Sequence, residues 1–159
     1  MAHRWGREAN VDGLDEANRA IIEELQRDGR RPYSAIAEVV GLSEAAVRQR
    51  VQRLRDSEVI QVVAVTDPKQ VGFARQAMVG IRAEGDIRTL AKELADVPEI
   101  DYVVVCAGSY DILAEVVCED DAHLLDLLNT KVRTQPGVRH AETFVYLELM
   151  KQTYTWGTR

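Results

Sequence analysis

The run IAEVVGLSEAAVRQRVQRLRD, residues 36–56, decides the fold of the first part of this chain. Ile36, Ala37 and Val40 form a short apolar stripe at helical spacing, and Gly41 stops it. Ser43 is placed to cap a third helix running to about Asp56, with Val47, Val51 and Leu54 as its buried stripe. Two helices joined by the tight turn Val40-Gly41-Leu42-Ser43 make a helix-turn-helix. Upstream, Leu14, Ile21, Ile22 and Leu25 share one helical face, with Asp15 as a cap and an end near Asp28-Gly29. The second helix opens after Pro32, and the set completes a three-helix core over residues 14–60.

Downstream of Glu58 the apolar period changes from 3.6 to about 2. Val59 to Val65 reads as a short strand in a linker spanning 61–71, broken by Asp67-Pro68. A regular succession follows: a strand over 75–83, a helix over 87–95 with Ile87, Leu90, Ala91 and Leu94 inward, and a strand over 100–107. After the turn Gly108-Ser109-Tyr110-Asp111 come a strand over 112–118, a helix from Asp120 or Asp121 to Gln135, and a long strand from Val138 to Met150. The order βαββαβ predicts a ferredoxin-like sandwich over 72–150, one antiparallel sheet with both helices on one face, in an α+β chain. Residues 1–13 read as a loose polar tail and 151–159 as a C-terminal tail in which Tyr154 and Trp156 favour packing on a subunit.

Charge separates the same two parts. The 159 residues hold 20 Lys+Arg against 26 Asp+Glu, a net charge of -6, which argues against a uniformly basic coat. The basic residues are nevertheless concentrated. Between Arg27 and Arg55 lie seven arginines (27, 30, 31, 48, 50, 53, 55) against Asp28, Glu38 and Glu44, a local excess of four. That is the electrostatic footprint of a nucleic-acid surface on one face.

On the third helix, the face opposite the buried stripe carries Ser43, Glu44 and Ala45 in its N-terminal turns, the part that enters a major groove in this motif. Arg48 and Gln49 are long forked donors suited to guanine and adenine edges; Arg53 and Arg55, farther along, suit phosphates. Arg50 borders the buried stripe, so its stem is expected to pack and its head to meet a phosphate or an internal acid.

The second part carries less chemistry: no nucleophile, base and acid set, no phosphate-binding glycine loop, and no metal spacing among Cys106, Cys118, His3, His123 and His140, so neither catalysis nor a metal is expected. Cys106 and Cys118 fall far apart along their hairpin ladder, which disfavours a disulfide. No apolar run approaches the length of a membrane span, and the N-terminus lacks the apolar core of a signal peptide, so the expected compartment is the cytoplasm. Gly108-Ser109-Tyr110-Asp111 offers free N–H groups, a phenol and a carboxylate that could hold a small zwitterion; by residue type alone a plain turn is favoured.

In order, Leu14-Asp15, Ile21-Ile22, Leu25, Asp28-Gly29-Arg30, Ile36-Ala37, Gly41-Leu42-Ser43, Val47, Arg50-Val51, Arg53-Leu54 and Val59-Ile60 resemble the helix-turn-helix of the leucine-responsive and asparagine-responsive (Lrp/AsnC) regulators. The likeness continues through Asp67-Pro68, Gly72, Gly108 to Asp111, Pro136-Gly137-Val138 and Thr143. It implies a DNA-binding transcription factor whose C-terminal domain dimerises through its sheet, assembles further into octamers, and binds an amino acid or related metabolite between subunits. Carried over by position, the effector residues are Gly108, Ser109, Tyr110, Asp111, Asp120 and Thr143, and the turn becomes a binding element. The chain departs from the family's usual pattern at Asn18, where a second acid is usual, and at Pro32, where Ser or Thr often caps. It departs again at Glu58, where glycine is common, and at Val62-Val63, where Gly-Tyr often follows. Two other classes fit the same residues: an effector-independent nucleoid-organising protein, and a metabolite-binding module or small enzyme whose helical domain mediates protein contacts.

Overall fold

The computed structural model describes residues 14–158, so the tail read over 1–13 lies outside the described residues. Two compact units result, one from residues 14–65 together with 151–158, the other from 66–150. The seam at 65/66 falls inside the stretch read as linker, and the C-terminal tail groups with the helical unit.

In the helical unit, α1 (Glu16–Arg27), α2 (Tyr33–Val40) and α3 (Glu44–Asp56) enclose Ile21, Ile36, Ala37, Val47 and Val51. The Asp15 carboxylate accepts the Asn18 N–H at 2.7 Å and the Ser43 hydroxyl accepts the Ala46 N–H at 3.2 Å, each satisfying a donor that a helix start leaves orphaned. Pro32 supplies no such bond, and α2 starts with its cap position bare. Gly41 closes α2 at φ +68°, the left-handed turn that swings the chain from α2 into α3.

The end of α3 follows the same logic with a different residue. The Glu58 N–H donates to the Arg55 carbonyl and the Val59 N–H to the Leu54 carbonyl, the paired bonds of a Schellman cap. Glu58 therefore sits at φ +59°, the single non-glycine residue in that region among those described. Beyond it, Val59–Val65 has no ladder partner and forms no strand, contrary to expectation; a β-rich segment needs a neighbouring strand, and the described residues offer it none.

In the second unit, β1 (Arg75–Ala83), β2 (Ile100–Val105), β3 (Ile112–Cys118) and β4 (Val138–Val145) form one antiparallel sheet in the order β2-β3-β1-β4, as the ferredoxin-like reading requires. α4 (Ile87–Ala95) and α5 (Asp121–Leu127) cover one face through Leu90, Leu94, Leu124 and Leu127 against Ala77, Val79, Ile81, Ala114 and Val116. Three elements are shorter than expected, β2 among them, which ends at Val105 rather than residue 107. The last helix widens into a π-turn over Leu128–Val132, with the Arg133 N–H reaching the Leu128 carbonyl, and β4 stops at Val145 rather than Met150. Cys106 and Cys118 are free thiols.

Among the described residues no helix covers the opposite face of the sheet. Alternation places Met78, Gly80 and Arg82 of β1 there, with Tyr102, Leu113, Glu115, Glu142 and Phe144 beside them by register. Tyr102 is 51% and Phe144 45% exposed, so apolar rings stand in the open.

A left-handed Glu58 sets a stability test. Glu58→Gly is expected to raise the unfolding free energy of the chain by about 0.5–1 kcal/mol in denaturant titration, because only glycine takes this conformation without a steric cost. A loss of stability would show that the Glu58 side chain, not its backbone, matters at this cap.

Candidate functional site

In the helical unit the outward face of α3 presents Glu44, Ala45, Arg48, Gln49, Gln52, Arg53 and Arg55, all exposed. Four of the seven clustered arginines are held by carboxylates. Glu24, only 4% exposed on α1, takes both Arg27 (2.6 Å) and Arg31, which ties the chain on either side of the loop 28–30 together. Arg48 pairs with Glu44 one turn earlier at 2.7 Å, and its guanidinium lies over the Tyr33 ring at 5.3 Å. The fork of this side chain is thus prepositioned on the exposed N-terminal half of α3 by one exposed acid and one aromatic ring.

Arg50 takes the second of the two fates foreseen for it. Its guanidinium donates to Asp15 Oδ2 at 2.6 Å and Asn18 Oδ1 at 3.0 Å, tying α3 to the first turn of α1. Both acceptors engage Arg50 inside the unit, and a phosphate contact through Arg50 stays a proposal. Asp15 caps α1 with one oxygen and binds Arg50 with the other, and the Asn18 backbone N–H with the Arg50 side chain holds its carboxyl below the usual range. Of the seven, Arg30, Arg53 and Arg55 have no ion-pair partner among the described residues.

In the sheet unit the turn Gly108-Ser109-Tyr110-Asp111 is built tightly. The Cys106 N–H donates to the Asp111 carbonyl, the Asp111 N–H to Ile81, and the Asp111 carboxylate accepts the Ala83 N–H at 2.8 Å. No acceptor takes the N–H groups of Gly108, Ser109 or Tyr110 among the described residues. The Tyr110 ring lies on β1 so closely that a Cβ at Gly80 would stand 2.9 Å from it. Its hydroxyl donates to Glu142, Arg82 sits 5.7 Å from its centroid, and Phe144 meets it edge-on at 6.1 Å. The Glu142 carboxylate raises the phenol, keeping it a neutral donor.

Two expected members of this group lie elsewhere in the protomer. Asp120 caps α5, accepting the His123 N–H at 2.8 Å, at the end of β3 away from the turn, about 20 Å along the strand. Thr143 pairs with Val79 and so shares the helix-covered face, the side opposite Tyr110. In their place the fold supplies Gly80, Arg82 and Glu142. A glycine inside the apolar run Ala77-Met78-Val79-Gly80-Ile81 was the one sequence signal for them, since glycine in a strand marks a close approach. Tyr33 and Asn18 were likewise visible only as neighbours in space.

Comparison with known proteins adds the following. Residues 14–55 match the AsnC-type helix-turn-helix domain, and residues 73–159 match a C-terminal dimeric alpha+beta barrel domain of AsnC-type regulators. The HTH-type transcriptional regulator FL11 of Pyrococcus horikoshii is 32% identical over 142 residues, covering 88% of this chain and 93% of that protein. The leucine response regulatory protein LrpA of Mycobacterium tuberculosis superposes with a TM-score of 0.79 at 30% identity, over 87% of this chain and 96% of its own. A Neisseria meningitidis transcriptional regulator solved as an L-Met complex superposes at 0.77 with 24% identity, over 89% and 95% respectively, a likeness of fold.

The Asp15 and Arg50 pair sets a pH test. A carboxyl held below its ordinary range stabilises the fold fully above that range, and the contribution is lost as pH falls through the depressed value. Arg50→Ala is therefore expected to lower the denaturant midpoint most at neutral pH, with the deficit narrowing in acid. A deficit independent of pH would mean that Arg50 acts through packing alone.

Proposed function

This chain belongs to the Lrp/AsnC family of helix-turn-helix transcriptional regulators, and from that premise we propose how its own residues divide the work. α3 lies in a major groove of double-stranded DNA with Ser43, Glu44 and Ala45 foremost. Arg48 and Gln49 read base edges, and Arg53 and Arg55 hold phosphates. The observation that carries this reading is Arg48, fully formed on the exposed face yet parked on Glu44 and Tyr33. Glu44 acts as a latch: it neutralises Arg48 against indiscriminate phosphate contact and yields it to a base that offers two acceptors. Glu58 adds a second acid beside the DNA path.

The open sheet face is the dimer face in this proposal. Its rings need cover, and the family domain matched here is a dimeric one. A second copy supplies cover with the same residues and presents a second α3. The DNA site is then a pseudo-palindrome with half-sites about 34 Å apart or a multiple of that. Further assembly toward an octamer belongs to the same proposal, with exposed Leu125 of α5 as apolar surface outside the sheet. Among the described residues no helix is long and apolar enough to cross a membrane, and we place the protein in the cytoplasm with DNA.

A small zwitterion, an amino acid or related metabolite, is the proposed effector. Open N–H groups at Gly108 to Tyr110 and the Arg82 cation suit its carboxylate; Glu142 suits its ammonium once Tyr110 releases it. Asp120 and Thr143 join the site only through another subunit. The relative solved with L-Met supports the chemical class.

Two measurements test these assignments. Arg48→Ala is expected to cost about 1–3 kcal/mol at one base position of the operator, whereas Arg53→Ala weakens all sequences alike and reduces the salt slope by about 1. Equal losses on specific and random DNA for both variants would refute the division of roles. In a thermal-shift screen of amino acids, a stabilising ligand should lose its effect with Arg82→Ala or Glu142→Gln. Asp111→Ala is a poor probe, because it strips the Ala83 N–H of its acceptor and destabilises the sheet with or without ligand. A ligand effect that survives both Arg82→Ala and Glu142→Gln would remove this face from the site.

A further inference from the structure

The last described residues, 151–158, form no helix or strand, yet their end is held. The Gly157 N–H donates to Gln26 Oε1 at 3.0 Å, and the Thr158 hydroxyl donates to Glu23 Oε1 at 2.8 Å. These bonds join positions 131 and 135 residues apart, and both acceptors stand on α1. Gly157 and Thr158 are half-buried, whereas Trp156 just before them is 79% exposed, so the contact is made by the small residues and not by the ring. Gly157 adopts φ +75°, which lets the chain aim its N–H at the helix. Ile22 lies one turn before Gln26 on the same stripe, and it is buried although it does not belong to the three-helix cluster.

Both ends of this segment lead to functional residues. α1 is a rod of about 18 Å, and its first turn grips Arg50 of α3 through Asp15 and Asn18. A displacement of α1 is therefore a displacement of the recognition helix. In the other direction the tail is continuous along the chain with β4, which carries Glu142, the partner of the Tyr110 hydroxyl.

We propose that the C-terminal tail is a releasable strap docked on the Glu23 and Gln26 face of α1, through which occupancy of the site on β4 acts on α3. The coupling rests on reading Tyr110, Arg82 and Glu142 as a ligand site; the docking does not. The occupant of that α1 face is the chain's own Gly157-Thr158, kept at high effective concentration by its tether. Two hydrogen bonds are strong enough to favour the docked state and weak enough for a modest competing interaction to undo it.

Hydrogen exchange of the α1 amides is the direct test, on a chain ending at Met150, on full-length Glu23→Ala/Gln26→Ala, and on full-length Gly157→Val. Each is expected to exchange about 3- to 10-fold faster than wild type over Ile21–Arg27. Unchanged exchange in the folded truncated chain overturns the docking, and if truncation prevents folding the two full-length variants decide instead. The coupling is read in parallel, from affinity for the DNA upstream of the chain's own gene, with L-methionine as probe. The three variants should still bind that DNA while the change caused by L-methionine shrinks several-fold; an undiminished change overturns the strap as the route. Should L-methionine neither shift the melting of the wild-type chain nor alter its DNA affinity, the coupling fails for that ligand, while the exchange data still decide the docking.

Discussion

A four-stranded sheet with helices on one side has a second face to cover, and much of this chain's design answers to that constraint. Along β1 the alternation is strict: Ala77, Val79 and Ile81 point at α4 and α5, while Met78, Gly80 and Arg82 point at open space. Among the described residues no helix covers that face, so its rings and its polar groups share one surface. That surface is where the turn 108–111 delivers Tyr110, where β4 delivers Glu142 and Phe144, and where a second copy would dock. In the proposed reading, assembly and ligand binding share that one surface. In that reading a molecule that draws Glu142 away from Tyr110 alters the face two subunits share.

The helical unit answers a different problem, which is to hold a short recognition helix rigid with very little core. Ile21, Ile36, Val47 and Val51 are few, and each contributes about 1.5–3 kcal/mol at most. Charge completes the work. Arg50 spans from α3 to Asp15 and Asn18, and buried Glu24 gathers Arg27 and Arg31 at the end of α1. Arginine is the residue for this, since one planar fork satisfies two oxygens at once. The same arginine-rich composition thus builds the scaffold and leaves Arg53 and Arg55 exposed without an ion-pair partner among the described residues, and it is the acids nearby that make the difference.

Much of this was legible before any coordinates. The stripe Val47, Val51 and Leu54 with Ser43 as cap can be only a helix, and Gly41 between two apolar stripes can be only a tight turn. The βαββαβ order followed from period changes at Pro98, Gly108 and Pro136-Gly137. Two readings went too far for a shared reason. Val59–Val65 and residues 146–150 have the composition of strands, but pairing is a property of two segments, and composition describes one. Counting seven arginines as one basic surface overlooked, in the same way, that an acid far away in sequence can claim an arginine, as Asp15 claims Arg50.

The amino-acid sequence by itself determined the helix faces and the order of strands and helices, because periodicity, caps and turn residues act over a few positions and need no partner, and its run of motifs in order carried the resemblance to the family. The tertiary structure alone decided which side chains are free to act. It spent Arg50, Arg27 and Arg31 inside the helical unit and left Arg53 and Arg55 outside it. It set Tyr110 over Gly80 beside Arg82 and Glu142, placed Thr143 on the other face and Asp120 at the far end, and laid Gly157 on Gln26. Those outcomes turn on distances between residues up to 131 positions apart, which only the packed chain fixes.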